Sequence, residues 1–245
     1  MEPIYTEQFT ITHTAVDRYN RLKLSWLLAL CQEVAGSHFA ILNADQESLE
    51  EKGLFWAVIR TRVEITRLPG PGETIKVRTW PMPTTRVAYP RAAEALDEEG
   101  NVLFRSLSLW VLMDIRSRAM VLPGKSGVGV EGRVQGDEIA TPASLVPRDL
   151  EEVQQRQVRY TELDVNGHMN NTRYLDWAED LLTSDFHRSH RAKEFTVCYL
   201  SEAVEGDTLE LHHGLAEDNC LRIDAHRPGS AGKPDRVFSV QLVYA

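Results

Sequence analysis

One short stretch of the chain concentrates side chains that can catalyse a reaction at a carbonyl group. It reads Asp164-Val-Asn-Gly-His-Met-Asn-Asn-Thr-Arg-Tyr-Leu-Asp-Trp177. Asp164, Asn166 and His168 alternate, so an extended backbone would place all three side chains on one face. A carboxylate, an amide and an imidazole held together can activate water, orient a carbonyl and move a proton. We therefore predict that the reactive centre lies in this stretch.

The residues that follow this triplet predict the start of a helix. Asn170, Asn171 and Thr172 are residue types that cap helix N-termini, and Gly167 permits a tight bend before them. The first turn of a helix carries backbone N–H groups without intrahelical acceptors, together with the positive end of the helix dipole. We expect N–H groups near Asn170 to stabilise the oxyanion that forms when a carbonyl is attacked.

The sequence offers no conventional nucleophile for such an attack. It contains no G-x-S-x-G elbow, and Cys31, Cys198 and Cys220 all lie away from the histidine motif. A carboxylate remains, which either activates water or attacks directly. The odd number and wide spacing of the cysteines also favour a reducing compartment over a disulfide framework.

Composition argues against a nucleic-acid-binding, a secreted or a membrane protein. The chain has 245 residues and a formal net charge of -9, which argues against binding to nucleic acid through phosphate neutralisation. The N-terminal segment MEPIYTEQFT lacks the apolar core of a signal peptide, and no segment approaches the roughly 18 apolar residues of a membrane span. We expect a soluble, cytoplasmic protein with neither nucleic acid nor membrane as a partner.

The elements that must position the motif occur in the same order in both halves of the chain. Each half begins with a strand, continues with a helix whose apolar residues recur every three or four positions, and ends in four strands. In the first half these are a strand at Ile4–Thr12, a helix through Leu24, Leu27, Leu28, Cys31, Val34 and Ala35, and strands at Phe55–Thr66, Thr74–Trp80, Val87–Leu96 and Val102–Met113. In the second half they are Val153–Tyr160, the helix Thr172–Leu182, and strands at Phe195–Leu200, Thr208–Leu215, Leu221–His226 and Val237–Tyr244.

The two halves also resemble each other in sequence. VEITRLPGPGETIKV, which starts at Val63, aligns without a gap to VCYLSEAVEGDTLEL, which starts at Val197. Gly72 then matches Gly206 in a turn between two strands. The shared order of elements around this match favours an internal duplication.

A long apolar helix followed by antiparallel strands can be buried in the curl of the sheet. This arrangement is the hot-dog fold. We predict an α+β protein with two tandem hot-dog units in one chain, each a long helix wrapped by an antiparallel sheet. The N-terminal unit covers residues 1–122, a linker rich in Gly, Pro and Ser covers 123–148, and the C-terminal unit covers 149–245.

The motif closely resembles the signature of hot-dog thioesterases. Within that group the chain resembles the fatty acyl-[acyl carrier protein] thioesterases of plants and bacteria, also at Arg21–Ser25, at Phe55–Arg60 and around Trp110. The resemblance implies hydrolysis of fatty acyl-[acyl carrier protein] thioesters in fatty acid biosynthesis, with acyl carrier protein as partner. It implies no metal and no organic cofactor.

The resemblance also implies a set of catalytic residues. In the family these are an Asp, an Asn and a His in the motif and a Glu on a later strand, which correspond here to Asp164, Asn166, His168 and Glu202. Plant members often have Cys directly after the Glu, whereas this chain has Ala203, and the difference favours a carboxylate mechanism.

The first half lacks the polar site. Leu68 stands where the second half has Glu202, and no Asn-Gly-His precedes the first helix. We therefore expect the N-terminal unit to line the acyl-chain pocket and the C-terminal unit to hold the reactive centre. Candidate lining residues are Trp26, Phe39, Phe55 and Trp56.

Several alternatives stay open. Asp164 either attacks covalently or acts through water. The acidic carrier protein would bind a basic patch at Arg188, Arg191 and Lys193, or at Arg60, Arg62 and Arg67.

The first alternative function is that of an acyl-CoA thioesterase, which shares the fold and chemistry. A hot-dog dehydratase or hydratase of 3-hydroxyacyl thioesters fits less well, because the hydratase motif has His five residues after Asp and here it is four. A non-catalytic acyl-binding module is the third alternative, and a monomer or homodimer is expected.

Overall fold

The computed structural model describes residues 3–130, 132, 139–228 and 235–245. The chain forms two compact units, residues 1–142 and residues 143–245. The boundary between them falls inside the segment predicted as a linker. No helix in the described ranges combines the length and the apolar character that crossing a membrane requires.

The N-terminal unit is an antiparallel sheet with one long helix. Its strands are β1 (Tyr5–Thr10), β2 (Leu54–Ile65), β3 (Thr74–Pro81), β4 (Tyr89–Leu96), β5 (Val102–Asp114) and β6 (Met120–Val121). They follow the spatial order β1-β3-β4-β5-β2, with β6 paired to β5. Its helices are α1 (Leu24–Ile41), α2 (Gln46–Glu50) and α3 (Pro123–Ser126).

Helix α1 forms because an apolar stripe of Leu, Val and Ala runs along most of its 18 residues. It packs against β1 and β3. All six apolar residues that predicted the helix are buried, and Leu27 and Val34 have no exposed surface. Burial of each such side chain stabilises the unit by about 2 kcal/mol. Gly36 does not interrupt the helix, because it lies on the exposed face.

Part of the predicted linker packs onto the N-terminal unit. Val128 is buried in an apolar cluster with Phe39 and Leu54, and the Tyr89 hydroxyl lies 2.7 Å from the Ser126 hydroxyl. Residues 131 and 133–138 of the linker lie outside the described residues.

The C-terminal unit repeats the antiparallel design. Its strands are β7 (Glu152–Gln157), β8 (Ala192–Tyr199), β9 (Thr208–Leu215), β10 (Cys220–Arg227) and β11 (Asp235–Tyr244), in the spatial order β8-β11-β10-β9-β7. Its helices are α4 (Arg173–Glu179) and α5 (Ser184–Ser189). Thus the four predicted strands that follow the motif are all present, with ends shifted by at most three residues.

The helix of the C-terminal unit is shorter than predicted. Helix α4 has 7 residues, and the N–H groups of Leu181 and Leu182 donate to carbonyls only three residues back. This tighter turn ends the helix. The Thr183 hydroxyl then accepts the N–H of Phe186 at 3.2 Å and caps a new helix, α5, that the apolar spacing did not indicate.

The aligned turns of the two halves use the same backbone hydrogen bonds. The Gly72 N–H donates to the Ile11 carbonyl at 2.8 Å, and the Gly206 N–H donates to the Val158 carbonyl at 3.0 Å. Both glycines have a positive φ, +83° and +87°, which an L side chain rarely adopts. The correspondence agrees with the duplication predicted from sequence.

Candidate functional site

The motif segment forms a closed turn between β7 and α4. The Asp164 N–H donates to the His168 carbonyl at 2.7 Å, the Gly167 N–H donates to the Asp164 carbonyl at 3.0 Å, and Leu163 pairs with Met169. Gly167 has φ +76°, and this left-handed residue reverses the chain. The predicted extended backbone with three side chains on one face is therefore wrong.

The Asp164 carboxylate holds this turn together. Its Oδ1 atom accepts the N–H of Asn166 at 2.8 Å and the N–H of His168 at 3.1 Å. Aspartate commonly bonds to backbone groups two or more residues ahead in this way. The carboxylate thereby fixes the backbone of the two residues that were predicted to act beside it.

The N-terminal unit contains the same turn without the reactive side chains. Asp17 Oδ1 accepts the N–H groups of Tyr19 at 2.8 Å and of Arg21 at 2.9 Å, and the Asp17 N–H donates to the Arg21 carbonyl at 2.8 Å. Asn20, with φ +59°, occupies the left-handed position. Tyr19 thus replaces Asn166, and Arg21 replaces His168.

This comparison assigns a structural task to the aspartate. The carboxylate and its two hydrogen bonds occur in the unit that lacks the amide, the imidazole and the later glutamate. Sequence reasoning missed the correspondence because only Asp17 is identical to its counterpart. The available signal was a residue type that tolerates positive φ, Asn20, three positions after an aspartate.

The structure places Glu202 beside His168. The His168 Nε2 and Glu202 Oε2 atoms are 3.4 Å apart, and their side chains are 21% and 46% exposed. Glu202 follows the end of β8 and lies in a turn, not within a strand. The Met169 N–H donates to the Ala203 carbonyl at 2.8 Å, and His168 pairs with Val204. These backbone contacts join the two loops and bring the imidazole and the carboxylate together.

Arg227 at the end of β10 anchors the loop that carries Glu202. Its Nη2 atom donates to the Glu202 carbonyl at 2.6 Å and to Asp207 Oδ2 at 2.7 Å. The same Asp207 oxygen accepts the Val204 N–H at 3.1 Å. Sequence analysis did not identify Arg227, because nothing in the local pattern of β10 indicates which loop its side chain reaches.

Of the backbone N–H groups near Asn170 that were predicted to hold an oxyanion, the one of Asn170 itself is already used. It donates to the Glu162 carbonyl at 2.8 Å, and the Asn170 Oδ1 atom accepts the Thr172 N–H at 3.0 Å just before α4 begins. Within the described ranges, neither the Asn171 N–H nor the Asn166 carboxamide has a hydrogen-bond partner. The carboxamide belongs to an exposed residue, so both groups are available to a substrate.

Two tyrosine side chains pack beside the motif residues. The Tyr199 hydroxyl donates to the Asn171 carbonyl at 3.0 Å, and the Tyr174 ring packs edge-on against Tyr199 and Phe238. Burial raises the pKa of both phenols above their ordinary value. Both therefore stay neutral at physiological pH and act as hydrogen-bond donors and packing groups.

The predicted pocket-lining residues all lie in the N-terminal unit. Phe39 and Trp56 stack with ring centroids 5.0 Å apart in the core of the N-terminal unit, whereas Trp26 is 40% exposed. The Phe55 ring packs under the guanidinium of Arg118 at 4.8 Å.

The five arginines of the predicted basic patches have acidic or carbonyl partners, and Lys193 is exposed. Arg188 pairs with Asp185, Arg62 with Glu64, and Arg67 with Glu73. Arg60 donates to the Pro142 carbonyl and Arg191 to the carbonyls of Arg188 and His190.

Each half of the chain matches a domain of one known protein family. Residues 2–122 match the acyl-ACP thioesterase N-terminal domain, and residues 147–230 match the acyl-ACP thioesterase C-terminal domain. Among curated relatives, a chloroplastic dodecanoyl-[acyl-carrier-protein] hydrolase of Cinnamomum camphora is 28% identical over 66% of this chain and 45% of that protein. A chloroplastic palmitoyl-acyl carrier protein thioesterase of Gossypium hirsutum is 23% identical over 88% of this chain and 56% of that protein. The chain thus spans about half the length of these relatives.

Two solved structures share the fold over nearly the whole chain. An acyl-ACP thioesterase from Bacteroides thetaiotaomicron matches with a TM-score of 0.90 and 23% identity, over 99% of this chain and 98% of that one. The 12:0-ACP thioesterase from Umbellularia californica matches with a TM-score of 0.84 and 23% identity, over 100% and 98%. The α+β architecture of two tandem hot-dog units is thereby confirmed.

Proposed function

The chain belongs to the acyl-ACP thioesterase family, and on that basis we propose that it hydrolyses fatty acyl-[acyl carrier protein] thioesters. The products are a free fatty acid and the thiol of the carrier protein, in fatty acid biosynthesis. The observation that carries the proposal is the contact between His168 and Glu202 at 3.4 Å, on two loops joined by backbone hydrogen bonds.

Glu202 acts as general base in this proposal. Its carboxylate takes a proton from a water molecule whose oxygen attacks the thioester carbonyl carbon. The proton then passes to His168 across the short contact. When the tetrahedral intermediate collapses, the C–S bond breaks and His168 protonates the leaving thiolate.

Asn166 and Asn171 hold the developing oxyanion. The carboxamide of Asn166 and the N–H of Asn171 are two donors in this region for which the described residues supply no acceptor. A single donor of this kind contributes about 3 kcal/mol to stabilising a transition state.

Asp164 positions Asn166 and His168 and does not attack the substrate. Its Oδ1 atom is occupied by two N–H groups, and Asp17 makes the same bonds in the unit without a histidine. A water mechanism therefore gives each of the four residues a role and leaves the Oδ1 atom of Asp164 bonded to the turn.

The other expectations remain predictions. These are an acyl-chain pocket in the N-terminal unit, a cytoplasmic location, and a monomeric or homodimeric state. The three cysteines are free thiols, which agrees with a reducing compartment.

The test is thiol release from matched acyl-carrier-protein and acyl-CoA donors across several chain lengths. Wild type and Glu202→Gln are assayed in parallel. We expect faster release from the carrier-protein donor and a loss of at least 100-fold in the variant, the lower range for a general base. Equal turnover of both donors would favour the acyl-CoA thioesterase, and no release from either would refute thioester hydrolysis.

A further inference from the structure

A small cavity with a mixed polar and apolar lining lies inside the N-terminal unit between α1 and the sheet. Its volume is about 20 Å³, enough for about one water molecule. Leu28 and Ala35 of α1 are part of its apolar lining, and the hydroxyl-bearing residues Thr61, Ser106 and Ser108 of the strands are part of its polar lining. Such a group of hydroxyls is unusual between an apolar helix and its sheet, where packed apolar side chains are the rule.

A buried guanidinium forms one side of this cavity. Arg91 on β4 is only 4% exposed and lines the cavity. Its Nε and Nη2 atoms have no hydrogen-bond acceptor in the part of the chain that the structure describes. A buried charged group with unused donors costs several kcal/mol unless a partner binds it.

The contacts that Arg91 makes are with an imidazole, a hydroxyl group and an aromatic ring. Its Nη1 atom lies 3.2 Å from His38 Nδ1 and 3.3 Å from the Thr79 hydroxyl, and the guanidinium stacks 4.0 Å from the centroid of the Phe39 ring. Burial lowers the pKa of Arg91 to about 9, so the group is still positively charged at pH 7.

No carboxylate in the described ranges neutralises this charge. Glu94, three residues further along the same strand, is buried at 2% exposure but pairs with Arg78 and Arg105. The unit therefore compensates one buried charge on β4 and leaves the other facing a cavity lined with hydroxyls. A ligand with an anionic oxygen group would supply the missing partner.

We propose that the Arg91 cavity is a binding site for a carboxylate carried on an aliphatic chain. Arg91 would bind the carboxylate through Nε and Nη2, the two adjacent donors of a guanidinium that match a carboxylate in bidentate geometry. Thr61 and Ser108, whose hydroxyls share a hydrogen bond at 2.9 Å, line the same cavity together with Ser106, and the apolar wall contacts the chain.

The cavity must widen to admit such a group. Gln32, Ser108 and Trp110 line it and are only half-buried, so we expect the cavity to widen on this side. Their rotation enlarges the site without breaking the sheet hydrogen bonds.

Two sources carry this chemistry: the carboxylate of a free fatty acid, and the distal carboxylate of an ω-carboxyacyl thioester. The first is tested by calorimetric titration of the full chain with decanoate and with 1-decanol, which share the chain length. We expect decanoate to bind at least 10-fold more tightly, because a bond to a charged group is about twice as strong as one to a neutral group. Arg91→Met should abolish that difference, and the neutral but polar Arg91→Gln is the second variant if Arg91→Met does not fold.

Arg222→Met is the matched control. Arg222 is 5% exposed but donates to Gln241 and to the Val146 carbonyl, and it belongs to the C-terminal unit. Its substitution should leave the preference for decanoate unchanged. Equal affinity for decanoate and decanol, retention of the preference in both Arg91 variants, or its loss in Arg222→Met would overturn the proposal. Chloride binding as tightly as decanoate would overturn it too, because the site would then serve inorganic anions.

The second source is tested by thiol release from decanoyl and 9-carboxynonanoyl carrier-protein thioesters. This arm rests on the proposed function, whereas the titrations do not, so failure of one can be distinguished from failure of the other. An Arg91-dependent preference of 10-fold or more for the 9-carboxynonanoyl donor assigns the cavity to the distal end of a substrate. Turnover of both donors without that preference, together with Arg91-dependent decanoate binding, assigns it to free fatty acid.

Discussion

Replacing Asp164 by asparagine or by alanine separates two roles of its carboxylate. One role is to accept hydrogen bonds that hold the turn, and the other is to attack the substrate or take a proton. Its Oδ1 atom accepts the N–H groups of Asn166 at 2.8 Å and His168 at 3.1 Å. Asparagine keeps an acceptor oxygen in the same place and loses only the charge, which reduces each bond by about 1 kcal/mol. Solvent screens this half-buried turn and lowers the combined loss from the two hydrogen bonds to about 1 kcal/mol. We therefore expect kcat/KM of Asp164→Asn to fall by about 10-fold or less.

Alanine removes the acceptor altogether. The turn then loses both bonds, and His168 and Asn166 are no longer held in place. Because a displacement of about 1 Å costs about 100-fold in rate, we expect Asp164→Ala to lower kcat by about that factor. If the carboxylate itself attacked the substrate or took the proton, Asp164→Asn would lose about as much activity as Glu202→Gln.

The assay is thiol release from one acyl-carrier-protein substrate, with kcat, KM and the pH profile measured for Asp164→Asn, Asp164→Ala and Glu202→Gln. Asp164→Asn should keep the shape of the wild-type pH profile, whereas Glu202→Gln should change it. The matched control is the pair Asp17→Asn and Asp17→Ala, which alters the same two hydrogen bonds in the N-terminal unit. Asp17→Ala should lower the free energy of unfolding and spare kcat of the folded protein. A folded Asp164→Asn enzyme as inactive as Glu202→Gln would refute the positioning role.

Three further predictions follow from the same geometry. Gly167→Asn should retain most activity, because Asn20 occupies the corresponding left-handed position with φ +59°. Gly167→Val should lose activity, because a β-branched residue is strained in that conformation. Equal kcat values for the two variants would contradict this prediction. Arg227→Met should lower kcat about 10-fold with little change in KM, because it releases the carbonyl of Glu202, and steady-state kinetics showing an unchanged kcat would contradict that. Burial raises the pKa of Cys31 from 9.0 to about 12. Between pH 9 and pH 12 the thiol is therefore deprotonated in the unfolded chain and still protonated in the folded protein. The stability advantage of wild type over Cys31→Ala should therefore shrink by about 1.4 kcal/mol per pH unit above pH 9, measured by urea unfolding from pH 8 to 10, and a constant difference would count against it.

The fold was predictable wherever periodicity is strong and local. The stripe from Leu24 to Ala35 predicted α1, and alternating runs predicted the strands of both sheets, because apolar side chains on one face must be buried together. Prediction failed at Leu181 and Leu182, whose spacing extends the helical pattern beyond the end of α4. There the side chain of Thr183 caps a second helix, and capping depends on a hydrogen bond that spacing does not express.

The residue types of the candidate site were visible in the sequence, but their geometry was not. Alternation of Asp164, Asn166 and His168 suggested an extended segment, whereas Gly167 in the left-handed region closes a turn and directs the carboxylate to backbone N–H groups. Spacing also did not show which N–H group near Asn170 is already used, because Glu162, eight residues earlier, accepts the one of Asn170 itself.

The sequence by itself determined the duplication, the two sheets, the long first helix and the residue types that can perform hydrolysis. Only the tertiary structure decided that Glu202 meets His168, that Arg227 anchors the Glu202 loop and that Arg91 faces a cavity without a carboxylate partner. Hydrophobic periodicity is encoded over a few neighbouring residues. Contacts between loops depend on how sheet register and loop closure place residues that are distant in the chain, and a single sequence carries no local signal for such pairs.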